Sequence, residues 1–340
     1  LGLLKRAVRS NRTSAALKAR RDRVANTLEL TRDYVEHRSS GGHFRIFTSR
    51  GKDQLLARFA GETLEAIRAA LKADLGFAPR EAIRVEIYPG PEDLARVSPL
   101  RLRDIRRSGT IALCKYNRLM VVTPRALLRG YPWRDTLAHE YTHLVVTRMS
   151  ANSVPIWLHE GLAKHFEARW RATHGASAPL APQQEHLLAQ ALRSGKFVPW
   201  ARMHPSMAML PSQRATALAF AQVQTAVEFL TGRVGLDGLR RVVGAVAGGR
   251  SSWEAIRQHT GLDRRAFTRQ WKRYLRGRKL RAMPGLSPRR RRFGKKPSRE
   301  RRLAAVREAR ARRYLRLAEL LRQRRLTRAA IIEYEKARQI

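Results

Sequence analysis

Two histidines four residues apart, His139 and His143, stand in the stretch DTLAHEYTHLVV, with Glu140 directly after the first. On a helix such a pair shares one face, so both imidazoles can aim a nitrogen at one ion. Glu140 then lies about 100° round the helix and can reach a water bound to that ion. The geometry suits zinc, which takes a third protein ligand in catalytic sites and leaves the fourth position to water. A water so bound has a pKa near about 7 and is a nucleophile at neutral pH. The third ligand is at hand in SVPIWLHEGLAKHFE, where Pro155 opens a second helix after a short turn. A helix returning past the first brings Glu160 near the two histidines, and Gly161 beside it lets the two helices approach closely. The whole pattern is His-Glu-x-x-His followed after sixteen residues by Glu-Gly-Leu-Ala, far more specific than the five-residue motif alone. The competing reading, two partly buried histidines on an amphipathic helix, leaves Glu140 and the Glu-Gly pair as coincidence.

Around these residues the roles are less sharply drawn. Asp135, one turn before His139, either orients that histidine or is a first-turn acid matched to the helix dipole. His159 and His165 flank Glu160 but point to other faces, and read as surface or core histidines. Trp133 and Trp157 read as packing residues, and Lys164 as facing solvent.

The elements that must hold this constellation are a small sheet followed by a helical half. Alternation of Phe44, Ile46 and Thr48 predicts a strand over 43–49, helical spacing follows up to a stop at Gly76, and a second strand covers 82–89. Residues 109–124 read as two short strands around a turn at 115–117. From Pro132 onward the periodicity is helical over 133–148, 155–173, 182–194, 213–232, 237–246, 253–260 and 263–276.

Composition bounds the rest. With 340 residues and 43% hydrophobic content, the chain is long enough for a domain of substantial size plus something smaller. No run of about 18 uncharged apolar residues occurs, so no transmembrane segment is expected. The single cysteine, Cys114, excludes an internal disulfide and a cysteine-rich metal site. Lys and Arg number 70 against 27 acidic residues, a formal net charge of +43. That charge attracts nucleic acid and anionic surfaces without specificity at low salt. Arginine is spread over nearly every segment, which favours solvated helix surface over a dedicated nucleic-acid site. The chain begins at Leu1 with no signal-peptide core, so it reads as a fragment or a processed form. Its compartment is open: cytoplasmic, or exported with a signal lost upstream of Leu1.

The stretches WRDTLAHEYTHLVV and VPIWLHEGLAKHFE resemble the glutamate zincins, and more closely the peptidase MA-like metallohydrolases, bacterial proteins often joined to tetratricopeptide repeats. The resemblance extends over His43 to Arg276 and takes in GTIALC and LAFAQVQTAVEFL. It implies a zincin-like α+β fold and a Zn2+ cofactor. It also implies zinc ligands His139, His143 and Glu160, Glu140 as general base and acid, and a strand over Gly109–Leu113 that pairs with an extended peptide or protein substrate. Where this group commonly has a tyrosine to stabilise the oxyanion, the sequence has Phe220, which cannot donate a hydrogen bond. His204, Gln222 and Gln224 are candidate substitutes. The activity implied is zinc-dependent peptide hydrolysis; the alternative is a catalytically inactive zincin-fold scaffold.

The closing segment, ARRYLRLAELLRQRRLTRAAIIEYEKARQI, resembles a tetratricopeptide repeat. Ala318 and Ala330 are the small positions where its two helices would touch, and the resemblance implies protein partners and a following repeat. Four segments are therefore expected. Residues 1–39 form a basic helical arm or linker, 40–276 the zincin-like domain, 277–300 a mobile basic Pro/Arg-rich linker, and 301–340 the start of a repeat array. The RRRRF run reads as solvated linker, the alternative being a non-specific site for anionic surfaces or nucleic acid with Phe293 as its one stacking group.

Overall fold

The computed structural model describes residues 15–128, 130–171, 179–283, 306, 308–324 and 326–340. Residues 1–14 and 284–300, the latter holding most of the expected linker and its RRRRF run, lie outside the described residues. The chain divides into two compact units, Leu1–Phe293 and Gly294–Ile340.

In the first unit the strands β1 (Val35–Arg38), β2 (Phe44–Thr48), β3 (Ile83–Tyr88), β4 (Ala112–Lys115) and β5 (Arg118–Val122) form one mixed sheet in the order β1-β2-β3-β5-β4. β2, β3 and β5 run parallel, and both edge strands run antiparallel to their neighbours. The two-residue alternation of a strand sends Phe44, Ile46, Val85, Ile87, Leu119 and Val121 into the main core. Tyr88, Met120 and Val122 face the other way, into a smaller core with Leu94, Val97 and Ile105.

β1 comes from inside the segment expected to be an arm. Its sequence, VEHR, is too short and too charged to show alternation; pairing with β2 and the two-pronged bond from Arg45 to Glu36 (2.8 Å each) hold it. The helix before it, α1 (Ala15–Leu30), is tied to the sheet as well, because Arg118 Nη2 donates to Thr27 Oγ1 at 3.1 Å. The same arginine clamps the fully buried Glu86 at 2.9 and 3.0 Å, as a buried carboxylate requires.

Against the main face of the sheet lies α2 (Gln54–Leu75), whose buried stripe is Ala57, Ala60, Leu64, Ile67 and Leu71, and which stops at Gly76 in the left-handed conformation (φ 73°). On the other face are the short helices α3 (Pro91–Val97) and α4 (Leu102–Ser108). Next in the chain come α5 (Trp133–Met149) and α6 (Ile156–Phe166), then α7 (Pro182–Ser194), α8 (Gln213–Ala247, broken at Gly235 with φ 67°), α9 (Ser252–Thr260) and α10 (Arg264–Gly277). The mostly helical α+β class with a small mixed sheet is thus the observed architecture.

Three expectations need correction. α6 ends at Phe166, short of residue 173, and beyond it Arg169 clamps the buried Asp74 at 2.6 and 2.7 Å. The close approach that Gly161 allows is with α8, not α5: a Cβ there would meet Val227 Cγ2 at 2.6 Å and the Val223 carbonyl oxygen at 2.8 Å. The first residues of the expected mobile linker are packed, since the Arg281 guanidinium reaches Glu185 at 3.2 Å and the Met283 N–H donates to His186 Nδ1 at 2.9 Å.

The second unit is a pair of helices, α11 (Ala309–Gln323) and α12 (Thr327–Arg338), packed on each other. Ala311, Ala318 and Ala330 are buried, while Leu317, Leu320, Ile331 and Ile332 are exposed. No described helix of the chain is long and apolar enough to cross a membrane.

Candidate metal centre

α5 buries Leu137, Ala138, Tyr141, Leu144 and Val145 against the sheet and α2, which leaves His139 and His143 on the face turned to α6. The two rings meet edge to face, 4.7 Å between centroids. Their Nε2 atoms are 3.1 Å apart, and each lies 3.3 Å from Glu160 Oε2, delivered by α6. All three side chains are at least four-fifths buried. Glu160 Oε2 has no well-directed hydrogen bond.

Three electron-rich atoms facing one another at this range, in a buried site, call for positive charge between them. The separations fit zinc: a tetrahedral ion bonded at about 2.0–2.1 Å holds its ligand atoms about 3.3 Å apart. The donor set, two imidazole nitrogens and one carboxylate oxygen, fits as well. The electrostatics agree. Burial pushes the His139 imidazole down, yet Glu160 and Glu167 outweigh it and bring it up to about 10. Burial pushes Glu160 up, and the two imidazoles outweigh that and hold it well below the usual carboxylate range.

Glu140 is buried beside this triangle. Burial raises its carboxyl above the ordinary value, against the lowering effect of His143 and His139. Cys114 of β4, the edge strand packed beside α5, lies next to it, and its backbone N–H favours the ionised carboxylate. The strand lies later than expected: Gly109 ends α4 in the left-handed conformation (φ 73°), pairing begins where Val122 N–H donates to the Ile111 carbonyl (2.8 Å), and the strand proper is Ala112–Lys115.

α6 also supplies residues whose part the sequence did not disclose. His139 Nδ1 is 3.3 Å from Glu167 Oε2, and Lys164 pairs with the other oxygen of Glu167. Lys164 therefore faces an anion rather than solvent. His159 stacks on His143 (4.6 Å, 17°), with the two Nδ1 atoms 2.5 Å apart, and its Nε2 is 3.1 Å from Thr147 Oγ1. Asp135 does not serve His139; it accepts from Trp170 Nε1 (2.9 Å) and Arg171 Nη2 (2.5 Å). His165 is buried against Phe166, where burial pushes its imidazole down to about 4. Trp157 packs in an aromatic cluster with Trp200 and Trp253, as expected of a packing residue.

Phe220, on α8, has its ring 6.3 Å from that of His139, so a side chain with no hydrogen-bond donor faces the triangle. Of the candidate substitutes, His204 is exposed. Gln222 has both ends occupied by the Val198 backbone (2.8 and 3.0 Å), and Gln224 reaches Glu228 at 3.5 Å.

A family model described as the Peptidase MA superfamily matches residues 63–277. No curated protein matches the chain. Among solved structures, an M1 zinc metallopeptidase from Deinococcus radiodurans is 16% identical, with 74% of this chain and 50% of that one covered and a TM-score of 0.40. An aminopeptidase A of Legionella pneumophila, in complex with aspartic acid, is 13% identical, with 70% of this chain and 27% of that one covered and a TM-score of 0.39. The chain thus spans half or less of the length of these structures.

Proposed function

We propose that this chain, which belongs to the Peptidase MA superfamily, is a zinc-dependent peptidase. The observation that carries the reading is the buried triangle of His139 Nε2, His143 Nε2 and Glu160 Oε2 with 3.1–3.3 Å edges, beside a buried Glu140. His139, His143 and Glu160 would hold zinc. When bound, zinc polarises a peptide carbonyl and brings a water's pKa to about 7. Glu140, buried beside the triangle, would be the general base. Its carboxylate would take the proton of the attacking water, and the same group would carry that proton to the departing amine. The β4 edge beside it is a template for an extended peptide. Its contact with Glu140 through the Cys114 N–H would keep the base in register with the bound strand.

In the domain scheme we propose, residues 40–276 form the zincin-like domain, extended at its start by β1 and at its end by the packed residues up to Met283, and a basic linker follows. The packed pair α11–α12 would be a tetratricopeptide-like hairpin for protein partners. Burial of Ala318 and Ala330 supports that reading, as do the large apolar residues left exposed on the pair.

A second reading, a zinc-holding scaffold without turnover, is favoured by Phe220, whose phenyl ring offers the developing oxyanion no donor. One experiment separates the two. Glu140→Ala is expected to lower hydrolysis of a peptide library by about 10²–10⁴-fold while zinc content stays at the wild-type level. Absence of cleavage by wild-type protein that holds zinc selects the scaffold.

A further inference from the structure

A histidine that binds a metal through Nε2 must carry its proton on Nδ1, and the acceptor of that proton sets the ring's tautomer and plane. The two histidines of α5 meet this need differently. His139 Nδ1 faces a carboxylate, Glu167, at 3.3 Å. His143 Nδ1 faces another imidazole nitrogen, His159 Nδ1, at 2.5 Å.

The geometry gives the second contact a direction. With its Nε2 in the triangle, His143 donates from Nδ1, so His159 Nδ1 must be an unprotonated acceptor. The proton of His159 is then on Nε2, and Thr147 Oγ1, one turn beyond His143 on α5, stands 3.1 Å away to accept it. The rings lie nearly parallel at 17°, with the two Nδ1 atoms edge to edge at 2.5 Å, so the bond itself sets the plane of His143. A neutral acceptor also has an electrostatic reason. Glu160 already faces His143 at 3.3 Å and Glu140 is charged beside it. A further carboxylate would add like charge, whereas an imidazole supplies direction without it.

We propose that His159 is the positioning residue of His143: it fixes the tautomer and ring plane that turn Nε2 toward Glu160. α6 then templates both histidines of α5, through His159 and Glu167, while supplying Glu160 itself. The proposal rests on the reading of His139, His143 and Glu160 as zinc ligands.

The test is the zinc dissociation constant of the full chain, measured by chelator competition for wild type, His159→Leu and His159→Asn. Loss of an outer partner of a ligating histidine typically weakens metal binding about 10–100-fold. His159→Leu, which fills space but accepts nothing, is expected to show that loss. His159→Asn keeps an acceptor and is expected to stay within about threefold of wild type. A residue that merely packs would give the opposite order, leucine better than asparagine. That order, or unchanged affinity in His159→Leu, overturns the proposal and leaves the zinc reading standing. Wild type that binds no zinc overturns both. If the variants do not fold, nitrogen-15 NMR of zinc-loaded wild type decides: His143 protonated on Nδ1 and His159 on Nε2 support the proposal, and His159 protonated on Nδ1 refutes it.

Discussion

Two of the helix pairs joined by short turns, α5–α6 and α11–α12, are held in opposite ways. In α5–α6 the facing surfaces are polar: three histidines, Glu160, Glu167 and Lys164 lie between or beside the helices, each with a named partner. In α11–α12 the buried residues are mostly alanines, Ala311, Ala318 and Ala330, with one acid, Glu333, paired to Lys336 on its own helix, while Leu317, Leu320, Ile331 and Ile332 are exposed. A pair built on small apolar contacts needs only the right spacing to form. A pair built on buried charge is stable only if each group finds its counterpart, so it carries a chemical requirement that the other lacks.

The largest expected effect comes from removing one counterpart. In α5–α6, His143→Ala leaves Glu160 buried with half its partners. It also abolishes zinc-linked stabilisation, worth about 4 kcal/mol at a thousandfold excess over the dissociation constant. Amide hydrogen exchange is expected to show loss of zinc-induced protection across α5 and α6 and no change in α11 and α12. Equal change in both pairs would break the contrast.

Next in size is a pH effect. Burial, the main cause, brings His165 down to about 4, so between that value and about 6.5 the unfolded chain binds a proton the folded chain refuses. Stability from this group is complete above about pH 6.5 and is lost as pH falls toward about 4. The total is on the order of 3 kcal/mol. Denaturant titration of zinc-free His165→Leu at pH 4 and pH 7 is expected to show a correspondingly smaller difference between the two pH values than wild type does. An identical difference would show that His165 is not a buried neutral imidazole.

The smallest effect sharpens the other side. Ala318→Leu adds bulk where α11 meets α12 and is expected to destabilise that pair by about 1–3 kcal/mol, seen as faster exchange in both helices, with zinc affinity unchanged. A neutral result would mean that Ala318 is not a close contact.

How much of this was legible in the sequence follows the same division. His139, His143 and Glu160 were readable because helix periodicity alone puts the first two on one face and a turn brings the third back. The strands over 43–49 and 82–89 were readable from alternation that the sheet obeys. The parts of His159 and Glu167 were not, because an Nδ1 partner depends on how two helices cross, and no spacing within one helix contains that angle. His159 was set aside as a surface or core histidine, yet its face, about 100° from that of Glu160, is the one that meets His143. β1 was missed because a four-residue charged edge strand owes its existence to a neighbour. Gly161 announced a close approach, but its partner, α8, lies some sixty residues further on and only the fold identifies it.

The central claim is that α5 and α6 form a zinc centre. Elemental analysis of purified wild-type protein and His143→Ala tests it most directly. The account predicts about one zinc per chain in wild type and near-complete loss in the variant. No zinc in wild type after reconstitution with excess metal, or equal zinc in both proteins, would contradict it.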